Sequence, residues 1–85
     1  GAVSKEVAYN MAKNVRELAN AHYGIGVTGI AGPSGGSAKK PVGTVYIGLS
    51  DKNKTIVRRF TFIGTREEIK LQTAQQTLNL LRTKI

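Results

Sequence analysis

Val42-Gly-Thr-Val-Tyr-Ile-Gly-Leu-Ser50, Asp51-Lys-Asn-Lys54 and Thr55-Ile-Val-Arg-Arg-Phe-Thr-Phe-Ile63 form two alternating runs joined by a short polar turn. Side chains along an extended strand point to opposite faces in turn. Val45, Ile47 and Leu49 therefore share one face of the first run, and Thr44, Tyr46 and Gly48 the other. In the second run Ile56, Arg58, Phe60 and Phe62 lie opposite Val57, Arg59, Thr61 and Ile63. Two such runs with so short a connection predict an antiparallel hairpin.

Downstream, Thr65-Arg-Glu-Glu68 has the form of a capping box. The threonine hydroxyl accepts from the Glu68 N–H while the Glu68 carboxylate reaches back to the Thr65 N–H. Leu71, Ala74, Leu78, Leu81 and Ile85 follow at helical spacing and predict a buried stripe. Upstream, Ile25 to Ile30 reads as a short strand without charge, followed by the punctuated loop Ala31-Gly-Pro-Ser-Gly-Gly-Ser-Ala-Lys-Lys-Pro41. Ser4 to Ala21 reads as a helix, with Ser4 as N-cap and Val7, Met11, Val15 and Leu18 as an apolar stripe that Ala8, Ala12 and Ala19 widen. The order is helix, strand, long loop, hairpin, helix. That is an α+β arrangement within the chain. The first strand is apolar on both faces, which suits a strand covered on both sides. It points to a larger three-layer α/β/α parent domain with a mixed sheet.

Eighty-five residues make one small domain or part of one, and burial at this size leaves stability marginal. Cysteine is absent and histidine occurs once, which excludes a disulfide scaffold, a thiol nucleophile and a thiolate metal site. No apolar run approaches the length of a membrane span. Gly1 to Ser4 does not open a signal peptide. Thirteen Lys and Arg against five Asp and Glu give a net charge of +8. That balance leaves open nucleic acid, phosphorylated small molecules, or a solvated basic surface.

Several chemistry-like patterns fail on context. Gly24-Ile-Gly-Val-Thr-Gly29 matches a dinucleotide-binding turn, yet it lies inside the expected strand and no helix follows. Gly32-Pro-Ser-Gly-Gly36 matches a nucleophile elbow, yet the only histidine, His22, lies upstream and a strand follows. A Walker A loop would need Gly-Lys-Ser/Thr, which is missing. A glycine-rich loop after a strand can still present N–H groups to an anion. Thr28, Ser34 and Ser37 add hydroxyls there, and Lys39 and Lys40 add charge. Arg66 occupies the first turn of the last helix, where a cation adds little to the helix and can reach a bound phosphate. Arg58 with Phe60 and Phe62 offers either a basic-aromatic platform or rings packed under a helix.

Gly24-Ile-Gly-Val-Thr-Gly-Ile-Ala-Gly-Pro-Ser-Gly-Gly36 and Lys40-Pro-Val-Gly-Thr-Val-Tyr-Ile-Gly-Leu49 closely resemble the signature of the CinA C-terminal domain family. That family includes competence/damage-inducible proteins and stand-alone nicotinamide-nucleotide amidases. Gly1-Ala-Val-Ser-Lys-Glu-Val-Ala8 and Phe62-Ile-Gly-Thr-Arg66 extend the resemblance over essentially the whole chain. The resemblance implies a cytoplasmic amidohydrolase that converts nicotinamide mononucleotide to nicotinic acid mononucleotide and ammonia, with no metal and no cofactor. It implies catalytic roles for Thr28 and Arg66. It also implies a substrate-lining loop of Gly29, Ile30, Ala31, Gly32, Pro33, Ser34, Gly35 and Gly36. The family's upstream segments with its serine nucleophile and its tyrosine and lysine have no counterpart in this sequence. The chain is therefore expected to be the C-terminal half of the domain, inactive alone, and to form a homo-oligomer through its uncovered sheet. A basic binding module linked to competence or DNA damage is the alternative.

Overall fold

The computed structural model describes residues 3–29, 36 and 40–84. Helix α1 (Lys5–Ala19) leads to strand β1 (Gly24–Gly29), the hairpin of β2 (Thr44–Ser50) and β3 (Thr55–Thr61), and helix α2 (Arg66–Arg82). The strands form one antiparallel sheet in the order β1-β2-β3. The expected hairpin is present, with Ile47 opposite Arg58 and Leu49 opposite Ile56. β2 is the central strand and is buried along its whole length.

The two helices cover opposite faces of the sheet. Val45 and Ile47 of β2 pack with Ile69 of α2, and Phe60, Phe62 and Leu80 lie around that cluster. The alternate residue Gly48 turns to α1, where a Cβ would stand 2.5 Å from the Ala8 carbonyl oxygen. α1 rests on a floor of glycines. A Cβ on Gly26 would come within 2.6 Å of the Ala12 nitrogen and the Met11 Cβ. Only small residues fit so close an approach, and Ala8 and Ala12 are the fully buried residues of α1.

This narrows the expected helix faces. Ala8 and Ala12, at the margin of the expected α1 stripe, make the contact, while its large residues Met11, Val15 and Leu18 are exposed, Leu18 to 89%. In α2 the buried position is Ile69, while Leu71 and Leu78 stand about three-fifths exposed. β1 is likewise covered on one side only. Gly24 and Gly26 lie under α1, and Ile25 and Val27 are exposed on the α2 side. α2 sits over the central strand, so it leaves the edge strand open.

Local chemistry sets the element ends. The Ser4 hydroxyl accepts from the Val7 N–H at 3.1 Å and starts α1. The helix stops earlier than the expected Ala21. Asn20 adopts a left-handed conformation with φ 50°, and its N–H bonds the Arg16 and Glu17 carbonyls. α2 carries the expected capping box, with Thr65 N–H to Glu68 Oε1 at 2.8 Å and Glu68 N–H to Thr65 Oγ1 at 3.2 Å. The Thr65 N–H, and then its hydroxyl, hold the Glu68 carboxyl below its usual range. Gly43 enters β2 with φ 94°, close against the Phe62 carbonyl, where a side chain is both strained and obstructed.

The far end of the sheet is tied by a small network. Asp51 accepts from the Asn53 and Lys54 N–H groups at 2.8 and 2.9 Å and pairs with Lys84 Nζ at 3.2 Å. The Tyr23 hydroxyl donates to the Lys84 carbonyl at 2.9 Å. The hairpin turn, the start of β1 and the end of α2 are thereby joined. The Lys54 and Asn53 N–H groups, with Lys84, lower the Asp51 carboxyl to about 2 from 3.8. The folded state favours the charged form, so this contribution is present above the unfolded value and lost as pH falls through the folded one. Thermal melts from about pH 5 to about pH 2 are expected to show a loss of stability that Asp51→Asn makes shallower. Parallel pH profiles of the two proteins would contradict the assignment.

Candidate active site at the end of the sheet

β1 runs out at Thr28 and Gly29, which pair with Tyr46 and Val45 of β2. The loop that follows returns through Gly36 and Lys40. A Cβ on Gly36 would stand 2.5 Å from the Val42 nitrogen, so the returning chain lies close against the entry to β2. Lys40 Nζ donates to the Val3 carbonyl at 2.6 Å, and Thr44 Oγ1 to the Pro41 carbonyl at 2.6 Å. β3 ends at Thr61 opposite Thr44, and α2 begins at Arg66. The sheet therefore brings Thr28, Gly29, Gly36 and Arg66 to one end of the molecule. Two interstrand spacings, roughly 10 Å, separate β1 from β3.

Thr28 and Arg66 do not share a face. Thr28 is half-buried and alternates with Gly29, which puts it on the same side as Gly24 and Gly26, under α1. Arg66 starts the helix on the opposite face; it is exposed and has no partner among the described residues. The expected loop residues Ile30, Ala31, Gly32, Pro33, Ser34 and Gly35 lie outside the described residues.

Beside Gly29 a cleft of about 220 Å³ opens where α2 leaves β1 uncovered. Val27, Gly29, Val45 and Ile69 line it, and Lys70 and Thr73 stand on its α2 wall. A cavity of about 150 Å³ accepts a benzene ring, so the space suits a flat aromatic ligand. Lys70 was not among the expected site residues. The available signal was its place one turn after Arg66, at a spacing that sets two cations on one helix face. The Thr73 hydroxyl is used within the helix, donating to the Ile69 carbonyl at 2.7 Å.

Of the two readings of the Arg58, Phe60 and Phe62 face, the structure bears out the rings packed under a helix. Phe60 and Phe62 stack at 5.3 Å between ring centres and pack against the core under α2. Arg58 and Arg59 point to opposite faces of β3, and the Arg59 guanidinium lies 5.8 Å from the centre of the Tyr46 ring.

The family model for the CinA C-terminal domain matches residues 1–85. The chain belongs to the CinA C-terminal domain family. A CinA-like protein of Endomicrobium trichonymphae is 53% identical over the whole chain, which spans 20% of that relative. A putative competence-damage inducible protein of Moorella thermoacetica is 54% identical over 81 residues, again 20% of its length. The chain thus spans about a fifth of the curated relatives it matches. Among solved structures, the competence/damage inducible protein CihA of Agrobacterium tumefaciens superposes with a TM-score of 0.92 at 38% identity. The match takes in 98% of this chain and 52% of that one. A CinA superfamily protein of Escherichia coli gives 0.90 at 32% identity, over 99% and 49%. The α+β arrangement of the two helices and the three-stranded sheet is that of the CinA superfamily. Among the described residues, no helix is long and apolar enough to cross a membrane.

Proposed function

We propose that the chain is the C-terminal half of an amidohydrolase domain acting on nicotinamide mononucleotide, and that it supplies binding groups without the nucleophile. The observation that carries this reading is the gathering of Thr28, Gly29, Gly36 and Arg66 at one end of the sheet, beside an apolar cleft. The cleft walls suit the pyridine ring. Arg66 and Lys70 suit the phosphate or the anion that develops on the amide oxygen. The carboxamide is assigned to the Thr28 hydroxyl by the resemblance and not by the cleft, since Thr28 lies on the α1 side of the sheet end. Hydrolysis of an amide also needs a nucleophile and a base within hydrogen-bond reach. The resemblance assigns those to segments outside this sequence.

Three exposed apolar features support the reading of a half domain. They are the free edge of β1 with Ile25 and Val27, the α1 stripe of Met11, Val15 and Leu18, and Leu71 and Leu78 on α2. An open edge and uncovered apolar faces favour association. The chain alone is expected to self-associate in sedimentation experiments. A monomer at high concentration would contradict this.

The function is tested by ammonia release from the domain assembled around this chain, comparing nicotinamide mononucleotide with its dephosphorylated nucleoside. The nucleotide is the expected substrate, and Arg66→Ala is expected to raise its KM about tenfold while leaving the nucleoside unaffected. No turnover of the nucleotide by a folded, assembled domain would overturn the proposal. It would favour the second reading, a basic nucleic-acid-binding module, which the net charge of +8 supports. That reading predicts DNA binding with a steep salt dependence.

A further inference from the structure

We propose that the outer side of α2 is a face on which a second copy of this chain docks, α2 against α2 and antiparallel. The stripe that periodicity marks on this helix does not face the sheet. Ile69 meets Val45 and Ile47, and Leu80 lies around the same cluster. Leu78 follows Ile69 by nine residues, about two and a half turns, and so points away from the sheet. Leu71 and Leu78 are about three-fifths exposed, and Ala74 is exposed between them. Leu81, half-buried, continues the line. A strand added at the free edge of β1 would lie beside Ile25 and Val27 and leave this outer side open.

Spacing and charge name the occupant. Leu71, Ala74, Leu78 and Leu81 are three, four and three residues apart. That alternation makes the narrow apolar seam that receives another helix. Ala74, small and central, lets the two helices come close. Glu67 lies one turn before Leu71 on the same line, with Glu68 beside it, and Arg82 flanks the far end. All three are exposed, and Arg82 also donates to the Asn79 side chain of its own helix. In an antiparallel pair each Arg82 comes to the end of the other helix that carries Glu67 and Glu68, and the two-fold axis repeats the contact. A parallel pair would instead set Glu67 against Glu67. The remaining cations of α2 and its end stand off the seam. Lys70 turns to the cleft beside β1, and Lys84 is held by Asp51. The inference does not depend on the amidase reading, because it uses no group of the Thr28 end and its test reads association alone.

The test is sedimentation equilibrium of the chain and of the domain assembled around it. Both are expected to dimerise. Leu71→Gln together with Leu78→Gln is expected to weaken the dimer more than about tenfold, because each pair loses four leucine side chains from its seam. Leu18→Gln, an equal change on the exposed side of α1, is expected to weaken it less than about twofold. Glu67→Arg and Arg82→Glu are each expected to weaken the dimer, and the two together to restore it. Damage to the helix itself would not be restored by the second reversal. Amide spectra of each variant establish that it is folded. Were the leucine variant to unfold, the charge reversals would carry the test. Three results would overturn the face: a monomeric assembled domain, a leucine variant that associates as well as Leu18→Gln, or charge reversals that fail to restore one another.

Discussion

Gly26→Val is expected to unfold the chain or lower its stability by about 3 kcal/mol or more. A Cβ at Gly26 meets the backbone of α1, with Ala12 N and Met11 Cβ at 2.6 Å and the Ala8 carbonyl at 2.8 Å. A main chain cannot rotate aside as a side chain can. The helix would have to lift from the sheet and lose the burial of Ala8 and Ala12 together. For a domain this small, that is a large share of the total stability. Leu18→Ala is the contrasting substitution. Periodicity places Leu18 in the core stripe, yet it is 89% exposed, so its loss is expected to cost no more than about 0.5 kcal/mol. Denaturant titration of the two variants measures both values. The reverse order of effects would contradict the packing described for α1.

Thr28→Ala is expected to lower turnover of nicotinamide mononucleotide by the assembled domain about 100-fold or more, with the fold retained. A hydroxyl that donates to the anion developing on an amide oxygen contributes on that scale. Thr28 is half-buried near the end of an edge strand and lies outside the apolar cluster under α2. The effect is therefore expected in kcat rather than in thermal stability. Thr28→Ser, which keeps the hydroxyl, is expected to recover most of the rate. A stability loss matching the activity loss would reassign Thr28 to structure.

Local signals were legible where they are complete within a few residues. The hairpin follows from alternation on both sides of Asp51-Lys-Asn-Lys54. The α2 start follows from Thr65 and Glu68, which make both halves of their box. The helix faces were not legible, for a physical reason. Periodicity gives weight to large residues, and so it centres the stripe on Val7, Met11, Val15 and Leu18 and leaves Ala8, Ala12 and Ala19 at its margin. The close approach of α1 is set by Gly26 and by Gly48, which lies some forty positions from Ala8 and becomes its neighbour only after β1 and β2 pair. The same limit applies to the site. Thr28, Gly29 and Arg66 were chosen from motifs, and the sheet brings them to one end. Lys70 joined them only once α2 was seated over β2 and away from β1.

The most direct test of the half-domain account compares ammonia release from nicotinamide mononucleotide by the chain alone with release by the chain plus the separately produced upstream half of the domain. The account predicts no turnover by either piece and turnover by the mixture, abolished by Thr28→Ala. Turnover by the chain alone, free of contaminating amidase, would contradict it, as would silence from a mixture shown to have assembled into one folded complex.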